Sequence, residues 1–348
     1  MANPPETTTP STGFNHGSDS HRGLLLLSVP RTASHLFVRV LNIHQSPQVL
    51  TNPKAGYFFH RPYLIFARNI TKPADQWTDA EKAQVREAYQ ESLNDLEELR
   101  RRARRANKIP FAKEHAFWIA DPSAMCAQST DGAGAPGSFF RLQLPADAGY
   151  GPRHTFSRHN RTLFPDEYLR TWRMVFIIRH PALAWPSMYR AMQKLTELQF
   201  LDEDRKFGAS LANMSLVWIR ELFDWSLQET KTVPLVMDAH DLIHSPATVL
   251  RFCEAAGLDT SVVQFEWGAT GPMVKGNTVE DQTARIMAST LAASKGIVKD
   301  KAPATVDIKT EAEKWRAEFG EEAAGMIEKA VWDAMPDYEY LREKRVQA

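Results

Sequence analysis

Cysteine is almost missing from this 348-residue chain, with Cys126 and Cys253 the whole complement. Two thiols are too few for a disulfide framework or a cysteine-built zinc site, and both read as reduced thiols of a cytosolic protein. Excess charge of either sign is also missing, since 42 Lys and Arg balance 42 Asp and Glu. A net charge of zero excludes whole-surface attraction to nucleic acid or to an anionic membrane, so any anion site must be local. Long apolar runs are absent: the strongest, 24–29, is far too short to span a bilayer. The stretch before it, residues 1–22, is rich in Pro, Thr, Ser, Asn and Gly. It lacks the apolar centre of a signal peptide and reads as a disordered tail. The Gly-Lys-Ser/Thr of a Walker A loop does not follow the first strand, which argues against a magnesium-dependent ATPase or kinase.

What remains is the composition of a soluble globular protein, 43% hydrophobic and 24% charged. The length suits one large α/β domain or two small ones; residues 23–348 read as a single domain, helical from about 260 onward. Gly23 to Val29 is a short apolar run stopped by Pro30, as in a strand buried on both faces. Thr32 to Ile43 has helical spacing, with Leu36, Val40 and Ile43 on one side. Thr78-Asp79-Ala80-Glu81 is a capping box that opens a long helix reaching about Asn107. Its end carries Arg100, Arg101, Arg102, Arg104 and Arg105, read as a solvated terminus favoured by the macrodipole. Ile109 to Ile119 reads as a strand, and Ala127 to Gly151 as a surface loop or lid. Further strands are expected at Met174–Ile178 and Val233–Met237. Helices are expected at Asp166–Trp172, 182–200, 209–231 and Pro246–Ala256, the last closed by Gly257. This alternation predicts a parallel sheet covered on both faces, with ligands beyond the carboxyl ends of its strands. Arg31, His115, Arg179 and Asp238 all fall near those ends.

The first strand-to-helix turn, Ser28 to His35, is a natural anion site because the first helical amides are unpaired. It adds the Arg31 guanidinium, the Thr32 and Ser34 hydroxyls and the His35 imidazole. A simpler alternative is that Thr32 and Ser34 only cap the helix. A second segment bears on the choice: Arg179 ends a strand, and Ser187 follows eight residues later within the next helix. One turn and half a helix can bring both to a single phosphate.

Together the two segments resemble the sulfotransferase family that uses 3′-phosphoadenosine 5′-phosphosulfate (PAPS). The first is similar to its 5′-phosphosulfate loop and the second to its 3′-phosphate motif, Arg-x-Pro followed by a Ser. Leu235 to Leu242, with Pro246 and a helix ending at Gly257-Leu258, is similar to the strand and helix that follow in that family. The resemblance spans about residues 23–260, and the wording of its motifs is most similar to a divergent fungal branch. It implies an α/β, three-layer P-loop-like fold with a central parallel sheet flanked by helices. It also implies a transferase taking PAPS and releasing 3′-phosphoadenosine 5′-phosphate, with no metal.

By the same resemblance Arg31 contacts the leaving oxygen, while Thr32, Ala33, Ser34 and His35 line the 5′-phosphate. Arg179 and Ser187 hold the 3′-phosphate. Lys113-Glu114-His115 resembles a strand-end Lys-x-His, with His115 removing the acceptor's proton and Lys113 assisting as a cation; a structural histidine and a surface lysine are the alternatives. Lys275, with Gly276, resembles a pair that closes over the nucleotide, and Arg285 has no better support. His154 and His159 read as loop histidines and His180 as a packing residue. Phe117, Trp118, Trp185, Met188, Tyr189 and Met192 have core spacing, with an acceptor pocket as the alternative.

The implied acceptor is a small, partly apolar molecule with a hydroxyl, of secondary-metabolite type. No nucleic acid or membrane partner is expected, and the protein reads as a cytoplasmic monomer or homodimer. Two positions depart from the family pattern. Ala33 replaces a loop glycine, which is tolerable if its φ is negative, and the bulkier His35 replaces a hydroxyl. A repurposed enzyme of this fold, for dehydration, cyclisation or isomerisation, stays open, as does a non-catalytic nucleotide-binding module.

Overall fold

A computed structural model describes residues 22–54, 56–70, 72–129, 141–152, 154–200, 213–268 and 279–348. The tail expected at 1–22, nearly all of it, and the start of the helix expected at 209–231 lie outside the described residues. In chain order the main elements are β1 (Gly23–Ser28), α1 (Ser34–Val40), β2 (Val49–Leu50), α2 (His60–Ala67), α3 (Asp79–Arg105) and β3 (Ile109–His115). They continue with α4 (Pro122–Ser129), α5 (Asp166–Leu169), β4 (Trp172–Ile178), α6 (Pro181–Glu197), α7 (Val217–Thr230) and β5 (Leu235–Asp238). The rest is helical: α8 (Ala239–His244), α9 (Pro246–Ala256), α10 (Val279–Ala293), α11 (Ile308–Phe319) and α12 (Glu321–Glu343).

The sheet runs β2-β3-β1-β4-β5 and every pairing in it is parallel. All six residues of β1 are buried, which is why it reads as a continuous apolar run rather than an alternating one. Leu24 and Leu26 pack in one layer with Phe37 and Val38 of α1 and Phe252 of α9. Leu25 and Leu27 pack in the opposite layer with Leu93, Trp185 and Ile219 from α3, α6 and α7. The result is the expected three-layer α/β fold. Because β3 and β4 flank β1, the chain changes direction across the sheet at β1, which opens the crevice where such sheets bind ligands.

Several readings of the sequence change, among them the helix expected at Asp166–Trp172, which ends at Leu169 so that Trp172 opens β4. The strand expected to reach Ile119 stops at His115, because Ala116–Trp118 tightens into a 3₁₀ turn; His115 therefore stands at the mouth of the sheet. Within 127–151, Ala127 to Ser129 finish α4, residues 130–140 lie outside the described residues, and 141–152 is irregular chain with one short turn. No helix among the described residues is long and apolar enough to cross a membrane. No group of three or more His, Cys, Asp or Glu among them is placed to hold a metal ion.

Arg100 corrects the reading of a solvated arginine cluster. It shares the buried face of α3 with Leu93, Leu96, Glu97 and Ala103, at helical spacing. Its Nη1 donates to Tyr150 Oη at 2.8 Å and lies 3.4 Å from Glu97 Oε1, with the guanidinium 4.7 Å from the Trp172 ring centre. Arg100→Ala would leave the Glu97 carboxylate buried without its cation, and is expected to cost about 3–5 kcal/mol of stability in urea denaturation. Arg101→Ala removes only a half-exposed pair with Glu98 and is expected to cost less than about 1 kcal/mol.

Candidate active site

The turn after β1 is built by alternating backbone hands. Arg31 and Ala33 have φ of +67° and +65°, while Thr32 between them is not among the positive-φ residues. Such alternation turns successive N–H groups toward one concavity, an anion-binding nest. Thr32 Oγ1 donates to the Val29 carbonyl at 2.8 Å, so it ties the turn to the strand. The N-cap of α1 is Ala33, with no side-chain cap, so Thr32 and Ser34 do not cap this helix. The condition under which alanine would replace the loop glycine without strain, a negative φ, is not met: Ala33 is the left-handed residue of the nest. An L-residue in that region is strained by about 1–2 kcal/mol. Ala33→Gly is therefore expected to raise stability by up to about 1 kcal/mol in urea denaturation, the extra chain entropy of glycine offsetting part of the relief.

Three polar side chains converge beside the turn. Arg31 Nε donates to Ser187 Oγ, in the second turn of α6, at 2.9 Å. Arg179, just beyond β4, donates from Nη1 to the Arg31 carbonyl at 3.0 Å. The outer guanidinium nitrogens reach main-chain carbonyls: Arg31 Nη1 that of Met287 on α10 at 2.6 Å, and Arg179 Nη2 that of Lys301 at 2.8 Å. Every one of these acceptors is a neutral oxygen. Arg179 Nε is buried and has no hydrogen-bond partner. Burial, with the nearby Arg31 charge, pushes the Arg179 pKa down to about 10. Burial, with Arg190, lowers that of Arg31 as well.

On the other side of β1, Ser28 is paired in register with His115 of β3. Ser28 Oγ lies 2.8 Å from His115 Nδ1, and Tyr57 Oη lies 3.4 Å from Nε2. The Trp118 ring meets the imidazole edge-on at 4.4 Å between centres. Lys113 is fully buried, so the surface-lysine alternative falls. Its Nζ has no hydrogen-bond partner and stands 4.1 Å from the centre of the Tyr57 ring. Burial lowers the Lys113 pKa to about 7. Burial, then the charges of Lys113 and His35, hold His115 well below the usual histidine value. Burial, then the charges of Lys113 and Arg31, lower His35 as well, and its Nδ1 is buried without a partner.

A turn, two arginines with a serine, and a strand-end Lys-x-His thus meet at one edge of a parallel sheet. Sulfotransferase ppzF of Metarhizium rileyi (strain RCEF 4871) is 33% identical to this chain over 337 residues, covering 93% of this chain and 96% of that protein. The chain belongs to the sulfotransferase family. Sulfotransferase ppzF of Metarhizium majus (strain ARSEF 297) is likewise 33% identical, over 343 residues, with the same coverage. No protein-family model matches the chain. The solved sulfotransferase domain from the curacin biosynthetic pathway is 14% identical with a TM-score of 0.39, covering 86% of this chain and 98% of that one.

In this sulfotransferase, three residues near the cluster escaped the sequence reading. Ser28 opens the expected anion turn, but nothing in the sequence ties its hydroxyl to His115. Tyr57 is held by a tight loop: Asn52 Oδ1 accepts from the Gly56 amide at 3.0 Å, and Asn52 Nδ2 donates to the Tyr57 carbonyl at 2.7 Å. Gly56 has φ +91°, and a Cβ there would lie 3.0 Å from the main-chain nitrogen of Lys113, so glycine is the residue that fits. The turn residues of Asn52-Pro53-Lys54-Ala55-Gly56 carried that signal. Glu114, the third, points to the opposite face, where its Oε1 accepts from the amides of Phe58 and Phe59 at 2.6 and 3.2 Å.

Other candidates have structural partners or sit elsewhere. Asp238 caps α8 through the His240 amide and accepts from Tyr338 Oη at 2.8 Å. His180 Nδ1 accepts from the Ala182 amide at the start of α6, and its ring packs on Tyr338. His154 is exposed and His159 half-buried, both in irregular chain. Phe117, Trp118, Trp185, Met188, Tyr189 and Met192 all lie in one core layer, and of these Phe117 stacks on His115 while Trp118 meets it edge-on. Lys275 and Gly276 lie outside the described residues.

Burial raises the Glu114 pKa to about 8 from an unfolded value near 4.5. Between those values the folded chain holds a proton that the unfolded chain releases, so the stability contributed by this group is lost as pH rises through the window. Glu114→Gln keeps an oxygen for the two amides and does not titrate. Its stability relative to wild type is expected to climb from about pH 4.5 to about pH 8 and then level off. Urea denaturation across that range checks it, and a flat difference contradicts it.

Proposed function

We propose that the chain transfers a sulfuryl group from PAPS to a hydroxyl of a small, partly apolar acceptor. The observation that carries this reading is the junction of Arg31 with Ser187 at 2.9 Å and of Arg179 with the Arg31 carbonyl at 3.0 Å, beside the nest. Two further donors support a polyanionic ligand. Arg179 Nε and Lys113 Nζ are buried without partners, and each such group costs roughly 1–3 kcal/mol until something accepts from it. The residues therefore fit a nucleotide with phosphates at two ends. The amides of Arg31 to His35 and the Arg31 guanidinium suit the 5′ side, and Arg179 with Ser187 suits the 3′ side. Phosphate oxygens in place of the Met287 and Lys301 carbonyls would make stronger, charge-assisted bonds.

PAPS, when bound, supplies the sulfuryl group and a 5′-phosphate as leaving group. The chain's part is to place the reactants and to meet the developing charge. Arg31 and Lys113 offer positive charge for the leaving oxygen; an anion beside Lys113 favours its protonated form. His115, kept neutral by its surroundings, can take the acceptor's proton at Nε2. The rings of Tyr57 and Trp118 against His115 give the acceptor an apolar wall, which suits a partly apolar molecule better than a sugar.

Calorimetry with 3′-phosphoadenosine 5′-phosphate tests the nucleotide. Wild type is expected to bind it, and Arg179→Ala to bind at least about tenfold more weakly, in line with about 1.5–3 kcal/mol for a charged hydrogen bond. No binding by wild type overturns the reading. With 2-naphthol as a probe acceptor, His115→Ala is expected to keep nucleotide affinity and lose about 10²- to 10⁴-fold in kcat. The acid limb of wild-type kcat/KM is expected well below pH 6.5, because burial and neighbouring cations hold the imidazole neutral there. A limb at or above 6.5 would exclude His115 as the base.

A further inference from the structure

His115 is held at both ring nitrogens. Ser28 Oγ lies 2.8 Å from Nδ1 and 3.3 Å from the carbonyl oxygen of Glu114. A carbonyl oxygen only accepts, and Ser28 has one proton to give. Directed at the carbonyl, that proton leaves a Ser28 lone pair for an Nδ1–H donor. Directed at Nδ1, it would leave two oxygens facing each other at 3.3 Å with no proton between them. The first arrangement satisfies both contacts. It puts the ring proton on Nδ1 and the lone pair on Nε2.

The far side of the ring agrees. Tyr57 Oη faces Nε2 at 3.4 Å and has one proton to give. With the ring proton on Nδ1, Nε2 can only accept, and the phenol proton can be directed to it. The donors then run in one sense, Tyr57 to Nε2 and Nδ1 to Ser28 to the Glu114 carbonyl. Both ends are anchored. Ser28 and His115 are register partners on adjacent parallel strands, and Tyr57 is pinned by Asn52 and Gly56.

We propose that Ser28 is a positioning residue that fixes His115 in the tautomer with Nδ1 protonated and Nε2 carrying the lone pair that a base needs. The proposal rests on the reading of His115 as the base. The opposite tautomer would present an N–H to the acceptor hydroxyl and could not take its proton. A neutral hydroxyl tied to a main-chain carbonyl performs here the orienting task that a buried carboxylate performs in the Ser-His-Asp triad. Ser28 touches no reacting atom in this scheme.

Long-range proton–nitrogen NMR correlations on enzyme labelled with ¹⁵N-histidine test it, with His115→Ala identifying the signals. Wild type is expected to show Nδ1 protonated and Nε2 bare. Ser28→Ala is expected to shift His115 toward the other tautomer. It should lower kcat for 2-naphthol at least about tenfold, while the KM for 2-naphthol and the affinity for 3′-phosphoadenosine 5′-phosphate hold. Ser28→Thr, which keeps the hydroxyl, is expected to restore tautomer and kcat together. An Nε2–H signal in wild type overturns the proposal, and so does a Ser28→Ala enzyme with tautomer and kcat unchanged. If Ser28→Ala does not fold, the wild-type spectrum alone decides. The spectrum needs no nucleotide, so a failure of the PAPS reading shows in calorimetry and a failure of this one shows in the ring nitrogens.

Discussion

The parallel register of β1 with its two neighbours is the constraint on which the site depends. Pairing Ser28 with His115 on one side and Leu27 with Phe176 on the other sets the ends of three strands at one edge. The nest leaves β1 at that edge, His115 closes β3 there, and Arg179 follows β4 there. A slip of one residue would turn every side chain of a strand to the opposite layer. The slip is resisted because both faces of β1 are packed, Leu24 and Leu26 into one layer and Leu25 and Leu27 into the other. The apolar core and the polar site are thus two consequences of one register.

The site differs electrostatically from the rest of the molecule. Elsewhere arginines find carboxylates, as Arg170 does in Glu229 and Arg190 in Glu318. Arg31 and Arg179 are bonded instead to a hydroxyl and to carbonyls. Lys113 faces an aromatic ring. A chain with no net charge can still concentrate positive potential in this way, by distributing its pairs unevenly. The cost is visible in the lowered pKa values of Arg31, Arg179, Lys113 and His115, all driven first by burial. Groups so displaced are the ones a bound anion would restore.

Much of this was legible in the sequence, for local reasons. The buried run of β1, the capping box of α3 and the glycine that closes α9 each announce themselves within a few residues. The structure has the box complete at Thr78 and Glu81, and Gly257 left-handed at φ +73°. Arg31, Arg179 and Ser187 were legible because two strand-to-helix turns carry recognisable residues at fixed spacing. What escaped depends on long-range packing. Arg100 looks like its exposed neighbours until Tyr150 and Trp172 fold over it. Tyr57 lies in a short loop beside the two-residue strand β2, with no periodicity to mark it, and acquires its place only through Gly56 and Lys113. The hand of Ala33 was hidden because an alanine does not signal a left-handed residue as a glycine does.

The tripeptide Lys113-Glu114-His115 shows why the positive site persists beside an acidic residue. Read along the sequence, Glu114 is adjacent to both Lys113 and His115 and ought to offset positive charge there. On a strand, successive side chains point to opposite faces. Lys113 pairs in register with Leu26 and His115 with Ser28, on the α1 side, whereas Glu114 pairs with Leu27 on the other. There its carboxyl accepts the amides of Phe58 and Phe59 at the entry to α2. The sheet keeps the acid away from the site, yet the acid still shapes it, because the segment it anchors begins one residue after Tyr57. Glu114 thus holds from below the loop that sets a tyrosine ring over Lys113 and a hydroxyl against His115.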